Sequence, residues 1–290
     1  MIDFNFSGRP DGIGNRIEQI IMLEGVCTKK NIHGNYVWNN IYSNRSYNIL
    51  FSAKSMKISK APIEGLPYKW DENPEDQLFF SEFLDQEDIL KAAKHINPRF
   101  NVYFNSTEKP IGIHIRGTDR IGSDHHHFMR DYKELNAYIS KTIGRINLLK
   151  PKYVYVCSEN EQYRNIFIKN LDKNIKIINP ICDVSIPSEY RDFFALSKCQ
   201  SIIMCSKFSS FSITASLIGN VPVISYVYDK KVLNRYKALF EYDLNFNNVK
   251  IRNYITDPAK SKKLLFKKYI NKLKVSVYSI YKILLNTNRQ

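Results

Sequence analysis

Short apolar runs alternate with amphipathic stretches along most of this 290-residue chain. In Arg16–Lys30 the apolar residues recur at the spacing of one helix face, whereas Ile2–Ser7 and Tyr36–Trp38 have the length and composition of strands. A Gly-rich turn joins the first strand to the helix. The pattern therefore predicts a chain that opens as strand, turn, helix and strand, which is how a doubly wound α/β sheet begins.

The alternation is less regular in Asn39–Phe100, where we predict a strand at Tyr47–Phe51, a loop at Ala61–Pro74 and a helix at Leu78–His95. It becomes regular after Pro110, where short apolar runs are typical of parallel strands covered by helices on both faces. The predicted order there is strand Ile111–Ile115, helix Asp131–Leu149, strand Tyr153–Cys157, helix Glu161–Asn170, strand Ile175–Ile178, helix Glu189–Lys198, strand Ser201–Met204, helix Ser212–Ile218 and strand Val221–Tyr226.

These elements predict an α/β protein with a doubly wound beginning and a parallel sheet in its second part. We place the boundary near Asn101–Lys109, so that residues 1–100 form an N-terminal domain and residues 101–250 form a second domain around a parallel sheet. Residues 251–290 are predicted to form a basic, amphipathic helical tail.

Composition narrows the class of protein. The hydrophobic fraction of 43% is that of a globular protein, and no N-terminal apolar segment resembles a secretory signal. No run of apolar residues is long enough to span a bilayer, so we expect a cytoplasmic protein. The five cysteines are odd in number and scattered, which predicts buried thiols in a reducing compartment and neither a disulfide framework nor a zinc site.

The net charge of +15 is concentrated near the C-terminus. Ala259–Gln290 contains eight Lys, one Arg and no acid, so it carries +9 and the other 258 residues carry +6. Apolar residues alternate with the lysines in Lys260–Leu285, a pattern that predicts binding to an anionic membrane surface. A solvated helix that packs on the protein is the alternative.

A second concentration of charge comes directly after the predicted strand Ile111–Ile115. Ligands of parallel α/β sheets bind beyond the carboxyl ends of strands, and the planar donors of an arginine suit a diphosphate. A solvated cluster of ion pairs is the alternative. The residues concerned are His114, Arg116, Asp119, Arg120 and Asp124, of which Arg116 is the candidate diphosphate ligand and Asp124 the candidate general base.

Two turns that precede predicted helices are candidate phosphate cradles, since helix N-termini attract anions. The first, Gly12–Arg16, contains Gly14, Asn15 and Arg16 but lacks the complete dinucleotide-binding pattern. The second contains Ser209, Ser210 and Phe211. A tight strand-to-helix connection and simple helix capping by serine are the respective alternatives.

Two acidic residues, Glu159 and Asp192, are predicted to lie at the same edge of the sheet. Glu159 follows the strand Tyr153–Cys157 and Asp192 lies near the start of a helix, so each can accept hydrogen bonds from a nucleoside or favour a helix dipole. The run His125–His127 is a weak candidate for a metal site, because adjacent histidines on a loop rarely hold one ion together.

These motifs resemble those of the GT-B fucosyltransferases, and most closely the α-1,6-fucosyltransferases with their protein O-fucosyltransferase relatives. The resemblance covers about Gly8–Tyr226. The sequence departs from the family at Gly117, where the family has a second Arg, and at Ser158-Glu159, where the family has an Asp-rich loop. The matching motifs are the G-x-G-N turn Gly12–Arg16, the H-x-R-x-T-D segment His114–Arg120, the segment Asp192–Cys199 and the serine turn Ser209–Ser212.

The resemblance implies a fold of two Rossmann-like domains that face a cleft. It also implies an inverting glycosyltransferase that transfers fucose from GDP-fucose to a hydroxyl of a glycan acceptor. It implies Asp124 as the base and Arg116 as the residue that neutralises the departing phosphate, with Ser209 and Ser210 at the diphosphate. His114 and Asp119 would support Arg116. No D-x-D motif occurs, so neither a divalent metal nor another cofactor is expected.

Two alternatives remain from the sequence. One is a GT-B enzyme that uses another nucleotide sugar. The other is a basic nucleic-acid-binding protein, which the calculated pI of 9.4 suggests but which no recognisable motif supports. With a lipid-linked or surface-polysaccharide acceptor, the enzyme would lie at the inner face of the membrane.

Overall fold

The computed structural model describes residues 1–9, 12–38, 49–69, 84, 86–116, 131–206, 209–225, 240–245 and 248–254. Helices and mostly parallel strands alternate in these ranges. The helices are α1 (Ile13–Lys30), α2 (Gln86–Lys94), α3 (Tyr132–Leu149), α4 (Glu161–Lys169), α5 (Ser188–Ser197) and α6 (Ser210–Gly219). The strands are β1 (Phe4–Ser7), β2 (Gly34–Val37), β3 (Phe51–Ser52), β4 (Met56–Ser59), β5 (Tyr68–Lys69), β6 (Asn97–Pro98), β7 (Val102–Tyr103), β8 (Ile111–Ile115), β9 (Tyr153–Ser158), β10 (Lys176–Ile177), β11 (Ile181–Cys182), β12 (Ser201–Cys205), β13 (Val223–Ser225), β14 (Phe240–Asn245) and β15 (Asn248–Tyr254).

The N-terminal part of the chain forms a four-stranded parallel sheet in the order β4-β2-β1-β5. Successive side chains of a strand point to opposite faces, so β1 turns Phe4 and Phe6 into the hydrophobic core and Asn5 to the other face. Asn5 pairs in register with Asn35 of β2, and both are buried.

The C-terminal part forms a seven-stranded sheet in the order β10-β9-β8-β12-β13-β15-β14. The first five strands are parallel, whereas β15 and β14 add an antiparallel hairpin at one edge. β8 lies between β9 and β12, where both faces of the sheet are buried. Its continuous apolar sequence follows from that position.

Two hydrophobic clusters cover the two faces of this sheet. One contains Ile113 and Ile115 of β8 together with apolar residues of α3, and the other contains residues of α5 and α6. The second cluster continues into α1 and the N-terminal sheet, so a single core joins the two sheets.

The structure confirms the predicted α/β class with parallel sheets. It adds elements that the sequence did not predict, namely the strand Met56–Ser59, the strand Tyr68–Lys69 inside the predicted loop, and the hairpin of β14 and β15. These were missed because very short strands, or strands at a sheet edge, carry little hydrophobic periodicity.

The predicted limit between residues 250 and 251 falls inside β15, and the domain limits stay a prediction. Lys260–Leu285 lies outside the described residues. None of the helices in the described ranges has the length and hydropathy of a bilayer-spanning segment.

Candidate active site

A cleft of about 750 Å³ lies at the carboxyl ends of β8 and β9, where the first turns of α1, α5 and α6 also meet. This is the edge at which parallel α/β sheets bind ligands. The residues that line the cleft are Gly12, Ile13, Gly14, Asn15, His114, Arg116, Tyr155, Val156, Cys157, Ser158, Glu159, Glu161, Arg164, Asn179, Pro180, Ser188, Glu189, Arg191, Asp192, Ser210 and Phe211.

One side of the cleft is suited to an anion. Arg116 follows β8 directly, and the first residues of α6, Ser210 and Phe211, line the cleft beside it. The first turn of α1 reaches the same cleft through Gly14 and Asn15. The unpaired amides of a helix's first turn and a guanidinium both favour negative charge, so this side has the chemistry of a phosphate site.

The residues at the start of α6 hold His114 in place at this side of the cleft. Its Nδ1 lies 2.7 Å from Ser212 Oγ and 3.4 Å from Ser209 Oγ. The imidazole also lies against Phe211, with 4.8 Å between the ring centroids. Ser209 occupies the N-cap position of α6, but its side chain makes no capping hydrogen bond. The serine turn therefore orients a buried histidine and does not cap its helix with Ser209.

Gly14 brings α1 and α6 together. A Cβ atom at this position would lie 2.6 Å from both the backbone nitrogen and the Cα of Phe211, closer than real side chains approach. Thr214 Oγ1 donates a hydrogen bond of 3.1 Å to the Gly14 carbonyl. The glycine is required by helix packing, in addition to lining the cleft.

The other side of the cleft carries carboxylates. Tyr155 donates a hydrogen bond of 2.8 Å from its hydroxyl to Asp192 Oδ1, and Arg191 Nε donates to the same oxygen at 3.1 Å. Burial raises the pKa of Asp192, while Tyr155 and the positive charge of Arg191 act in the opposite direction. Glu159 follows β9 and lines the same side.

Arg164 links three elements at this edge and was not identified from the sequence. It donates to the Val156 carbonyl, to Glu161 Oε1 and to Asn179 Oδ1, each at 3.0 Å. Asn179 and Pro180 follow β10 and line the cleft. A single arginine inside a helix pattern gives no sequence signal, because its role depends on a loop that approaches from elsewhere in the chain.

The structure brings together the predicted residues Gly14, Asn15, His114, Arg116, Glu159, Asp192, Ser210 and Phe211 in this one cleft. Two predicted donor-binding residues lie elsewhere. The Arg16 side chain is fully buried, with its guanidinium carbon 4.5 Å from the centre of the Trp38 ring. The Ser209 side chain is buried against His114, so a direct contact with a ligand is corrected to a contact that supports His114.

Several predicted residues lie outside the described ranges, namely Asp119, Arg120, Asp124 and the run His125–His127. Their predicted roles stay predictions. Within the described residues, no group of three or more His, Cys, Asp or Glu side chains is arranged to hold a metal ion.

All five cysteines are free thiols, and Cys157 lines the cleft. Burial raises the pKa of the Cys157 thiol well above its usual value, and the charge of Asp192 adds to this effect. A neutral, buried thiol is a poor nucleophile, so the cleft offers no activated cysteine.

No family model matches the sequence, and the comparison with curated proteins finds no match. Solved structures do match. The fucosyltransferase NodZ from Bradyrhizobium superposes with a TM-score of 0.54 at 12% identity, covering 80% of this chain and 96% of that chain. A structure of NodZ α-1,6-fucosyltransferase soaked with GDP-fucose gives 0.50 at 13% identity, covering 80% of this chain and 97% of that chain.

The chain has the fold of the NodZ fucosyltransferase. The resemblance inferred from the sequence motifs is therefore confirmed as a resemblance of fold. At 12–13% identity the two chains share an architecture, and the chemistry of this cleft is argued from its own residues.

Proposed function

We propose that this protein is a glycosyltransferase that transfers fucose from GDP-fucose to a hydroxyl of a glycan acceptor, with inversion at the anomeric carbon. The observation that carries the proposal is the cleft itself. It combines a cationic side, built from Arg116 and the first turn of α6, with a carboxylate side around Asp192. A nucleoside diphosphate matches these two sides, because its diphosphate is anionic and its nucleoside carries hydrogen-bond donors.

The diphosphate would bind at the cationic side. Arg116 and the amides at the start of α6 would neutralise the charge that develops on the leaving phosphate, where preorganised donors are most effective. His114, held by Ser212 and Ser209, adds a ring of fixed orientation next to these groups. Because this positive charge comes from the protein, we expect turnover without a divalent metal ion.

The nucleoside would bind at the carboxylate side. Tyr155 and Arg191 both donate to Oδ1 of Asp192, and no described residue donates to Oδ2. That second oxygen is available to accept a hydrogen bond from a base or a ribose hydroxyl. Glu159 offers a second carboxylate at the same side of the cleft.

The reaction needs a base for the acceptor hydroxyl. We assign this role to Asp124, whose place five residues after Asp119 of the H-x-R-x-T-D segment supports it. The carboxylate would take the hydroxyl proton while the acceptor oxygen bonds to the anomeric carbon on the face opposite the diphosphate. The bond from that carbon to the β-phosphate oxygen breaks, and GDP leaves with the electron pair.

The acceptor is a glycan, and we propose that the enzyme works at an anionic membrane surface. The lysine-rich segment Lys260–Leu285 supports this, since several lysines beside apolar residues are attracted to acidic lipids. A lipid-linked oligosaccharide or a surface polysaccharide under assembly is the class of acceptor that would make such attachment useful.

Calorimetry with GDP, UDP and CMP tests the donor site. We expect GDP to bind, and Arg116→Ala to weaken GDP by roughly 10- to 100-fold, because a charge-assisted contact to phosphate is lost. Arg99→Ala is the matched control, since Arg99 is exposed and distant from the residues of the cleft. Absence of GDP binding, or equal binding by Arg116→Ala and wild type, would show that the assignment is wrong.

Turnover assays then test the donor sugar and the base. GDP-fucose is expected to support transfer, with UDP-sugars inactive. Asp124→Asn should abolish transfer but leave GDP affinity unchanged, because the base contacts the acceptor and not the nucleotide. Full transfer by Asp124→Asn would contradict its role.

A further inference from the structure

We propose that Arg164 and Asn179 determine which nucleobase the cleft accepts, by presenting a fixed N–H donor to the carbonyl of a 6-oxopurine. This inference rests on the proposed function, because it assigns the base-reading part of the same cleft. Neither residue belongs to a motif of the sequence that resembles a known family.

The orientation of the Asn179 amide follows from its partner. Arg164 donates from its second terminal nitrogen to Asn179 at 3.0 Å, and a guanidinium has only donors. The amide oxygen must therefore face Arg164, which turns the NH₂ group away from it. That NH₂ group makes no hydrogen bond with any described residue, and Asn179 lines the cleft.

Arg164 itself is fixed by two further contacts. Its Nε donates to the Val156 carbonyl and its first terminal nitrogen donates to Glu161, each at 3.0 Å. Each of the three guanidinium nitrogens thus donates one hydrogen bond, to β9, to the start of α4 and to the loop after β10. A lysine could not reproduce this arrangement, since it lacks the planar fork.

The cleft pairs this fixed donor with a fixed acceptor. Asp192 is oriented by Tyr155, and its carboxylate lines the same cleft. Guanine presents a carbonyl acceptor beside two N–H donors on its base-pairing edge, and this cleft is lined by both an amide donor and a carboxylate acceptor. Adenine presents the reverse order, with an amino donor where guanine has its carbonyl, so it would meet the NH₂ group of Asn179 with a second donor.

The test compares the affinities of GDP and ADP in wild type and in Asn179→Asp, measured by calorimetry. The substitution replaces the donor by an acceptor at nearly constant size. We expect the ratio of GDP affinity to ADP affinity to fall by about tenfold or more. With guanine, the substitution replaces a hydrogen bond by repulsion between two acceptors. With adenine, it adds a hydrogen bond. The ratio is the readout, because an added negative charge weakens both nucleotides alike.

Asn174→Asp is the matched control. Asn174 is exposed and outside the cleft, so the same chemical change there should leave the ratio of the two affinities unaltered. Arg164→Lys is a second variant. It keeps the positive charge but removes the guanidinium nitrogen that holds the Asn179 side-chain amide in one orientation. It should reduce the preference for GDP without creating a preference for ADP.

The outcomes separate this inference from the proposed function. If wild type binds GDP through Arg116 but Asn179→Asp keeps the wild-type ratio, this inference alone is overturned. If wild type binds no nucleotide, the proposed function fails and this inference fails with it. A thermal melt of each variant tests whether the fold is intact, which is expected for Asn179→Asp because Asn179 is an exposed loop residue.

Discussion

Two groups of polar residues in this molecule differ in how fully their hydrogen-bonding capacity is used within the protein. In the N-terminal sheet, Asn35 donates to Asn5 at 2.9 Å, Ser59 donates to Asn35 at 2.8 Å, and the Ile63 amide donates to Asn5 at 2.8 Å. At the carboxyl edge of the seven-stranded sheet, Asp192 and Asn179 each use one oxygen within the protein and turn their remaining polar atoms to a cleft.

The comparison teaches that a polar side chain held in one orientation indicates a ligand site only when its hydrogen bonds within the protein are incomplete. The asparagines of the N-terminal sheet have their bonding capacity filled by strands and by one loop, so they stabilise the fold. The residues of the cleft are also held in one orientation, yet they leave donors and acceptors for a ligand.

The largest effect is expected at the contact between α1 and α6, which lies beside the cleft. Gly14→Val should lower the free energy of unfolding by about 3 kcal/mol or more, because a side chain there meets the backbone of Phe211. Chemical denaturation measures this loss. Gly144→Ala in α3 is the control, since a Cβ atom there meets nothing, and it should stabilise the protein by about 0.5 kcal/mol. Equal behaviour of the two variants would contradict the packing.

A somewhat smaller effect is expected inside the closed network. Asn5→Ala removes the acceptor used by Asn35 and by the Ile63 amide, so the free energy of unfolding should fall by about 2 kcal/mol. GDP affinity measured by calorimetry should not change, because the network lies apart from the cleft. Asn174→Ala, at an exposed turn, is the control for stability. A large loss of GDP affinity in Asn5→Ala would show that the two groups are coupled.

The third prediction concerns the pH dependence of stability at the open edge. Burial raises the pKa of Asp192 above its usual value of 3.8, so the folded protein holds this proton more tightly than the unfolded chain does. The contribution of protonated Asp192 to the free energy of unfolding is therefore fully present below pH 3.8. It is lost as the pH rises through the raised pKa of the folded state. The Asp192→Asn variant does not lose stability in this way, because asparagine has no carboxyl group that titrates.

Thermal melts across that pH interval should show Asp192→Asn gaining stability relative to wild type as the pH rises, while its GDP affinity falls by about tenfold. Asp183→Asn provides a control of opposite sign, because the Ser185 amide lowers the pKa of Asp183. A constant difference between Asp192→Asn and wild type at every pH would contradict the burial of this carboxyl.

The smallest effect is a difference in labelling rates among the thiols. Cys182 is half-buried, and burial raises the pKa of its thiol too, but burial raises the pKa of Cys27 to about 12 and that of Cys157 well above its usual value. Iodoacetamide near neutral pH should therefore modify Cys182 first, as peptide mass spectrometry would show. Cys182→Ala should slow the overall reaction, and preferential labelling of Cys157 would mean that the cleft edge is more open than described.

The sequence predicted the central strands and helices of the seven-stranded sheet well, because β8, β9 and β12 are buried on both faces and their apolar runs are bounded by polar turns. It also predicted that His114, Arg116 and Ser210 would meet, since carboxyl ends of parallel strands share one edge. The order of the strands could not be predicted, because it depends on crossovers and not on local pattern.

Arg16 and Arg164 show what the sequence could not reveal. Arg16 follows a Gly-rich turn and was predicted to bind the donor, but its guanidinium lies over Trp38 inside the core. Arg164 lies in an unremarkable stretch of helix, yet it fixes three cleft elements. The direction of a long side chain depends on neighbours that are distant in sequence, and no local pattern contains that information.

The contact between Gly14 and Phe211 also sets how the cleft can move. The two helices touch through backbone and are tied by the buried Thr214 hydrogen bond, so they cannot slide past one another without breaking that bond. Any widening of the cleft must pivot about this point. The distance between the start of α1 and the start of α6 would then stay nearly constant when the cleft opens, and the opening would be confined to the side far from the pivot.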